Sequence, residues 1–213
     1  YAAYWTRWMR TVPISSAVIR AAEQHWLKSS KSIARDVQKG GIRMSEEIFG
    51  AVQKLPVNGT KKQVVLQCAP LLTGIKLSNL LNVRADQKEE VFRIFEGSPV
   101  CCRVLYEFQG RLSILLYRPG MLAAYLERED VKKMMTSFGY ENPDLEETLN
   151  RIADAYQDHM NGKRGFPHEI GLVLGYPPVD VEGFIEKEGR DFLYSGYWKV
   201  YGNLEDTLKT FEA

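Results

Sequence analysis

From Phe166 to Asn203 the chain reads FPHEIGLVLGYPPVDVEGFIEKEGRDFLYSGYWKVYGN, and glycine or proline interrupts it at short intervals. Proline fixes φ and removes a donor, whereas glycine opens positive φ, so long uninterrupted elements are excluded from this stretch. The pattern predicts two short helices, Pro167 to Leu174 closed by Gly175 and Pro178 to Glu188 closed by Gly189. Leu193 to Tyr201 then reads as a strand with Tyr197, Lys199 and Tyr201 on one face. Asn203 reads as the cap of a last helix carrying Leu204, Leu208 and Phe211.

The preceding sequence alternates helical and strand periodicities. Val100 to Phe108 and Arg111 to Tyr117 read as strands around the two-residue turn Gln109-Gly110. Simple alternation places Cys102, Val104, Tyr106 and Phe108 on one face and Cys101, Arg103 and Glu107 on the other. Asp86 to Glu96 is expected as a helix with Val91, Ile94 and Phe95 inward, and further helices fall near 119–126 and 129–137. The clearest helix is predicted to be capped by Asn142, with Pro143 in its first turn and a core stripe of Leu145, Leu149, Ile152, Ala153, Tyr156 and Met160. His159 lies beside that stripe and is expected to face water. Gln63 to Cys68 fits either a helix or a strand, and Ser45 to Leu55 fits a helix ended by Pro56 to Gly59. The economical architecture is α+β, a small antiparallel sheet of three to four strands, including the hairpin at about 100–117, packed with several helices.

With 45% hydrophobic and 26% charged residues, the 213-residue chain has ordinary globular composition. No apolar run approaches the roughly 18 residues of a membrane span, so no membrane partner is expected for residues 44–213. The three cysteines, Cys68, Cys101 and Cys102, lack C-x-x-C spacing, which argues against a disulfide framework and a structural zinc site. No metal is expected, and a reducing cytoplasm suits the composition.

The net charge of +1 hides an asymmetry. Residues 1–43 hold eight Lys and Arg against Glu23 and Asp36, a net of +6, which leaves −5 on residues 44–213. Such a break marks a boundary between a 1–43 extension and a single 44–213 domain. Three readings of the extension stand. It suits an amphipathic surface helix on Val18, Ala22, Trp26, Ile33 and Val37, or a solvated helix. It also suits translated upstream sequence, because Lys39-Gly40-Gly41 is what the ribosome-binding codons AAA-GGA-GGN spell, shortly before Met44.

Several blocks together carry a resemblance. Cys68-Ala69-Pro70-Leu71-Leu72-Thr73-Gly74-Ile75-Lys76, Leu115-Leu116-Tyr117-Arg118-Pro119, Phe166 to Gly175 and Gly196-Tyr197-Trp198-Lys199-Val200-Tyr201-Gly202 resemble a bacterial family catalogued as domain of unknown function three-seven-nine-three, over about Met44 to Phe211. The resemblance implies a small bacterial cytosolic protein. It supplies no activity, cofactor or catalytic residue. One position departs: the family commonly has His before the Cys of the first block, where this chain has Gln67.

Candidate catalytic residues are His168 and Glu169, an imidazole beside a carboxylate, and Cys68, a nucleophile if its thiol were activated. Adjacent helical residues point about 100° apart, however, and a small cysteine next to Pro70 also suits a core. Lys76 and Arg118 are candidate ligand-binding cations near turns, and the G-x-x-x-x-G-K-[ST] spacing of a phosphate loop is absent. Tyr197, Lys199 and Tyr201 would stack a planar ligand beside a cation.

Three functions follow from these residues. The first is a cytosolic non-enzymatic module that binds a small molecule or a protein. The alternative is an enzyme using His168 and Glu169 with Lys76, Lys199 or Cys68. The third is a helix-turn-helix regulator built on EIGLVLGYPPVDVEGFIEKEG, with Val181, Phe184 and Ile185 inward. Its reading helix would present Asp180, Glu182, Glu186 and Glu188 to phosphates, so no nucleic acid is expected as partner.

Overall fold

A spacing of four and then three residues between Val64, Cys68 and Leu71 places all three on one side of a helix, which resolves the ambiguity at Gln63 to Cys68. Helix α1 (Thr60–Leu72) opens the part of the chain described by the computed structural model, residues 59–212. The expected helix at Ser45 to Leu55 and the 1–43 extension lie outside the described residues.

Strand β1 (Ser78–Arg84) follows, then a single 3-10 turn and helix α2 (Lys88–Phe95). Val91 and Phe95 of α2 are buried, as the periodicity predicts, and Ile94 is half-buried against the same cluster. Strands β2 (Cys101–Phe108) and β3 (Arg111–Tyr117) form the expected hairpin. Gln109 and Gly110 at its turn have φ of 47° and 73°, the left-handed pair that matches the twist of the strands. The sheet order is β1-β3-β2, antiparallel throughout.

β3 is therefore the central strand, and its residues from Leu112 to Tyr117 are all buried. Helices on both faces explain that continuous burial. On one face, Val64, Cys68 and Leu71 of α1 and Val91 and Phe95 of α2 meet Leu81, Val83, Leu112, Ile114 and Leu116 of the sheet. Each fully buried aliphatic side chain here is worth about 1.5–3 kcal/mol. The other face is covered by helix α5 (Leu145–Met160), which packs on β2. Helices α3 (Pro119–Leu126) and α4 (Glu129–Ser137) come between β3 and α5, at the predicted positions.

The simple alternation along β2 does not hold. A β-bulge shifts the register between Val104, opposite Ile114, and Tyr106, opposite Ser113, with buried Leu105 as the extra residue. Cys102 and Val104 keep to the α1/α2 face. Tyr106 instead turns to α5, where its ring meets Tyr156 edge-on at 6.5 Å and stacks near Phe108 at 6.2 Å.

At α5 the cap is Asp144, not Asn142. Asp144 accepts from the Glu147 N–H at 2.7 Å, while Asn142 sits at φ 50° before Pro143, which disfavours helical backbone in the residue ahead of it. His159 is buried at 5% exposure, contrary to the expectation that it faces water. It lies three residues after Tyr156 and seven after Ile152, so it continues the buried stripe.

The Gly/Pro-punctuated segment forms α6 (Ile170–Val173) and α7 (Pro178–Glu186), shorter than predicted. Gly175 and Gly189 adopt φ of 79° and 74° just beyond them. Leu193 to Tyr201 is not one strand. It is a small hairpin of β4 (Tyr194–Ser195) and β5 (Lys199–Val200), reversing through Gly196, Tyr197 and Trp198. Glycine leaves room at Gly196 for a neighbour: a Cβ there would lie 2.3 Å from the ring of Phe211 in the last helix, α8 (Leu204–Glu212). Asn203 precedes α8 at φ 40° and donates to Asp206 Oδ2 at 2.7 Å.

Candidate functional site

Asp180 organises the C-terminal layer. The double proline Pro177-Pro178 starts α7 and places Asp180 in its first turn, where the sequence suggests an exposed charge. It is instead 2% exposed, and its two oxygens accept from Trp198 Nε1 at 2.7 Å and from the N–H groups of Tyr201 and Gly202 at 2.7 and 3.0 Å. These bonds tie the β4–β5 hairpin to α7. Gly183 completes the seam, since a Cβ there would come within 2.5 Å of Tyr201 Cβ. Trp198 stacks on Tyr176 at 5.2 Å and meets Phe211 edge-on at 4.6 Å.

Above this fixed base four large side chains stand in water: Phe192, Leu193, Tyr194 and Tyr197 are 42%, 58%, 45% and 51% exposed. The hairpin reversal parts Tyr197 from Lys199 and Tyr201, which both lie against the Phe184 ring. Tyr197 is at the tip, edge-on to Phe211. Lys199 donates to Gly189 O at 2.5 Å, its ammonium 4.7 Å from the centre of the Phe192 ring. Tyr201 packs beneath, with Phe184 and the Lys187 ammonium at its ring.

The helix-turn-helix expectation fits this layer poorly. α6 is a four-residue helix buried throughout, and α7 turns Val181 inward but leaves Ile185 37% exposed beside outward Glu182 and Glu186.

A second group surrounds the end of α1. Cys68 is fully buried, with Asn79 Nδ2 3.3 Å from its Sγ, and burial pushes its thiol up to about 11. A thiol so held is a poor nucleophile at neutral pH. Arg118 donates to the carbonyls of Leu71 and Leu72 at 3.1 Å each, which caps α1. Lys76 is buried to 9% exposure and its ammonium lies 5.1 Å from the centre of the Tyr176 ring.

A third group joins α5 to α6. Phe166 stands edge-on to His159 at 5.3 Å and to His168 at 5.4 Å. His159 Nδ1 is 3.3 Å from Arg164 O, and its Nε2 is buried without a hydrogen-bond partner. Burial and the neighbouring His159 hold the His168 imidazole below its usual range. Glu169 is buried, with Arg164 at 3.5 Å, and helps push the Tyr140 phenol up to about 12, behind desolvation as the main cause.

The structure thus brings some of the candidates together. Cys68 and Lys76 are electrostatic neighbours, and His168, Lys199 and Tyr201 all lie against one ring, Phe184, at 6.0, 5.9 and 6.5 Å. A cavity of about 60 Å³ beside Met135, Tyr140 and Pro143, and an open groove of about 410 Å³ beside Phe92, Val100 and Cys102, are lined by none of them. Among the described residues no group of three or more His, Cys, Asp or Glu is placed to hold a metal ion. No helix there is long and apolar enough to cross a membrane.

Sequence reasoning missed Phe192, Leu193 and Tyr194 as surface residues, although an apolar triplet between charged Arg190-Asp191 and Gly196 was a readable signal. It also missed Tyr176 as the ring against Lys76.

Fold and site together define a small α+β protein, a three-stranded antiparallel sheet with helices on both faces and an aromatic hairpin at its C-terminal end. The chain belongs to the family described as protein of unknown function (DUF3793), whose model matches residues 64–213. No curated protein and no solved structure matches it.

Proposed function

We propose that the protein is a non-catalytic binding module that holds a protein partner on the exposed aromatic hairpin. The observation that carries this reading is the exposure of Phe192, Leu193, Tyr194 and Tyr197 in and just ahead of a hairpin that Asp180 and Trp198 fix. Aromatic side chains on a rigid support are the usual anchors of protein interfaces, because little conformational entropy is lost when they are covered. Lys187, Glu188, Arg190 and Asp191, exposed and just ahead of Phe192 in the chain, offer mixed charge for orienting a partner. The enzyme reading is weaker, since its candidate groups line neither of the two cavities described above.

A bacterial cytoplasm is the proposed location. The family resemblance points there, and three free cysteines, with Cys101 exposed, suit a reducing compartment.

The test compares full-length wild type with Leu193→Asp and, as a control elsewhere on the surface, Phe108→Asp, using in-cell crosslinking and quantitative mass spectrometry. Unchanged melting temperatures would show that both variants fold. At least one crosslinked protein should fall about tenfold with Leu193→Asp alone, the loss of roughly 1.4 kcal/mol at an anchor. Identical crosslinking profiles in all three would sink the proposal.

A further inference from the structure

Lysines near a helix C-terminus can donate to its last carbonyls. At the end of α1 that role is filled by other groups. Ala69 O accepts from Thr73 N and Thr73 Oγ1, each at 3.0 Å. Pro70 O accepts from the backbone N–H of Lys76 at 2.8 Å, and Leu71 O from Gly74 N at 3.2 Å. The Arg118 guanidinium then takes Leu71 O and Leu72 O. The side chain of Lys76, 9% exposed, has no ion pair or hydrogen bond among the described residues.

Its surroundings are apolar and fixed. The ammonium lies over the Tyr176 ring, and that residue is held by the Trp198 stack and by Tyr125, whose hydroxyl donates to Tyr176 O at 2.7 Å. The nearby Cys68 remains a thiol at neutral pH and supplies no counter-charge. Removing an unpaired ammonium from water favours its neutral form, and burial pulls Lys76 down to about 8. A neutral, desolvated amine is a nucleophile toward carbonyl carbon.

We propose that Lys76 is a reactive amine that condenses reversibly with a small aldehyde or ketone. The nitrogen lone pair attacks the carbonyl carbon, and the new C–N bond forms as the C=O π bond opens to a carbinolamine. Its hydroxyl then leaves as water, carrying off the two nitrogen protons in total, and a Lys76 imine remains. No oxidant or reductant is consumed.

The experiment uses the full-length wild-type chain with limiting acetaldehyde at pH 7.5. Cyanoborohydride traps each imine as an N-ethyl group, and peptide mass mapping follows each lysine separately. At that pH about 200-fold more of the Lys76 amine is neutral than of an ordinary lysine, so even with shielding by the protein its labelling should exceed that of exposed Lys61 and Lys133 by about tenfold. Its rate should level off above about pH 8 while theirs continues to rise. Labelling of Lys76 no faster than Lys61 and Lys133, or only after unfolding in urea, would overturn the proposal and leave a buried structural lysine.

Discussion

Trp198 donates its indole N–H to Asp180 at 2.7 Å, and the carboxylate so fixed holds the backbone on the far side of the hairpin as well. One buried side chain therefore satisfies three donors from a segment with little regular structure of its own. Asp180→Asn exchanges one acceptor oxygen for an amide and sets it against a donor, with an expected cost of about 1.5–3 kcal/mol. Asp180→Ala leaves all three donors without this partner and should cost more. Urea denaturation checks both, and a loss below about 0.5 kcal/mol for the alanine variant would mean that water replaces the carboxylate.

Two helical glycines are expected to respond to alanine with opposite signs. Gly120 in α3 has nothing within 4 Å of its would-be Cβ, so Gly120→Ala should stabilise by about 0.5–1 kcal/mol through helix propensity and a less flexible unfolded chain. Gly183 in α7 faces Tyr201 Cβ at 2.5 Å. There the same propensity gain is outweighed by overpacking of about 1–3 kcal/mol, because the hairpin must move off Asp180 to make room. Thermal melts of the two variants beside wild type distinguish the cases. A stabilised Gly183→Ala protein would contradict the close approach of hairpin and helix.

The same close approaches mark where the sequence could and could not be read. The β2–β3 hairpin was legible because its signals are local: Gln109-Gly110 takes the two positive φ values that a two-residue turn requires. Helix α2 was legible from the spacing of Val91, Ile94 and Phe95, and α3 and α4 follow the break at Arg118-Pro119-Gly120. The bulge at Leu105 was not, because the extra residue is selected by what α5 presents to Tyr106, a contact from residues about fifty positions away. Nor was the break of the Leu193 to Tyr201 run, which an extended strand fits until Phe211 comes to rest on Gly196. For the candidate site, residue types such as Lys76 and His168 stood out, but burial decides their chemistry, and burial is a property of the packed layers.

Arg118 supplies a test of how far capping alone explains a candidate ligand-binding cation. Its guanidinium reaches two successive carbonyls of α1 at once. Arg118→Ala should cost about 1–2 kcal/mol through the two lost bonds and the lost charge at the negative end of the helix. Arg118→Lys should restore only a minor part, since an ammonium lacks the planar fork that spans both acceptors. Denaturant midpoints for the three proteins decide this. Full recovery by lysine would show that charge, not the paired geometry, is what the helix end needs.

His168 should make stability fall as the solution is acidified. It contacts Phe166 and, from α7, Phe184, with His159 of α5 as the neighbouring titratable group and the Glu169 carboxylate next in sequence, paired to Arg164. Desolvation first, and the His159 charge second, hold its imidazole below the usual value of 6.5. In the unfolded chain the ring takes up a proton near that usual value, while in the folded protein it resists until a lower pH. Acidification through this window therefore favours unfolding, and stability drops from the unfolded pKa down to the folded one. The carboxylates of Asp86, Asp130 and Asp206, held below 3.8 first by hydrogen bonds from Arg84, Arg128 and Lys209, contribute only at more acidic pH. Urea midpoints at pH 7, 6 and 5 should fall for wild type and fall less for His168→Gln, which keeps a polar side chain but cannot titrate. Equal slopes for the two proteins would show that the imidazole is as free to protonate in the fold as in water.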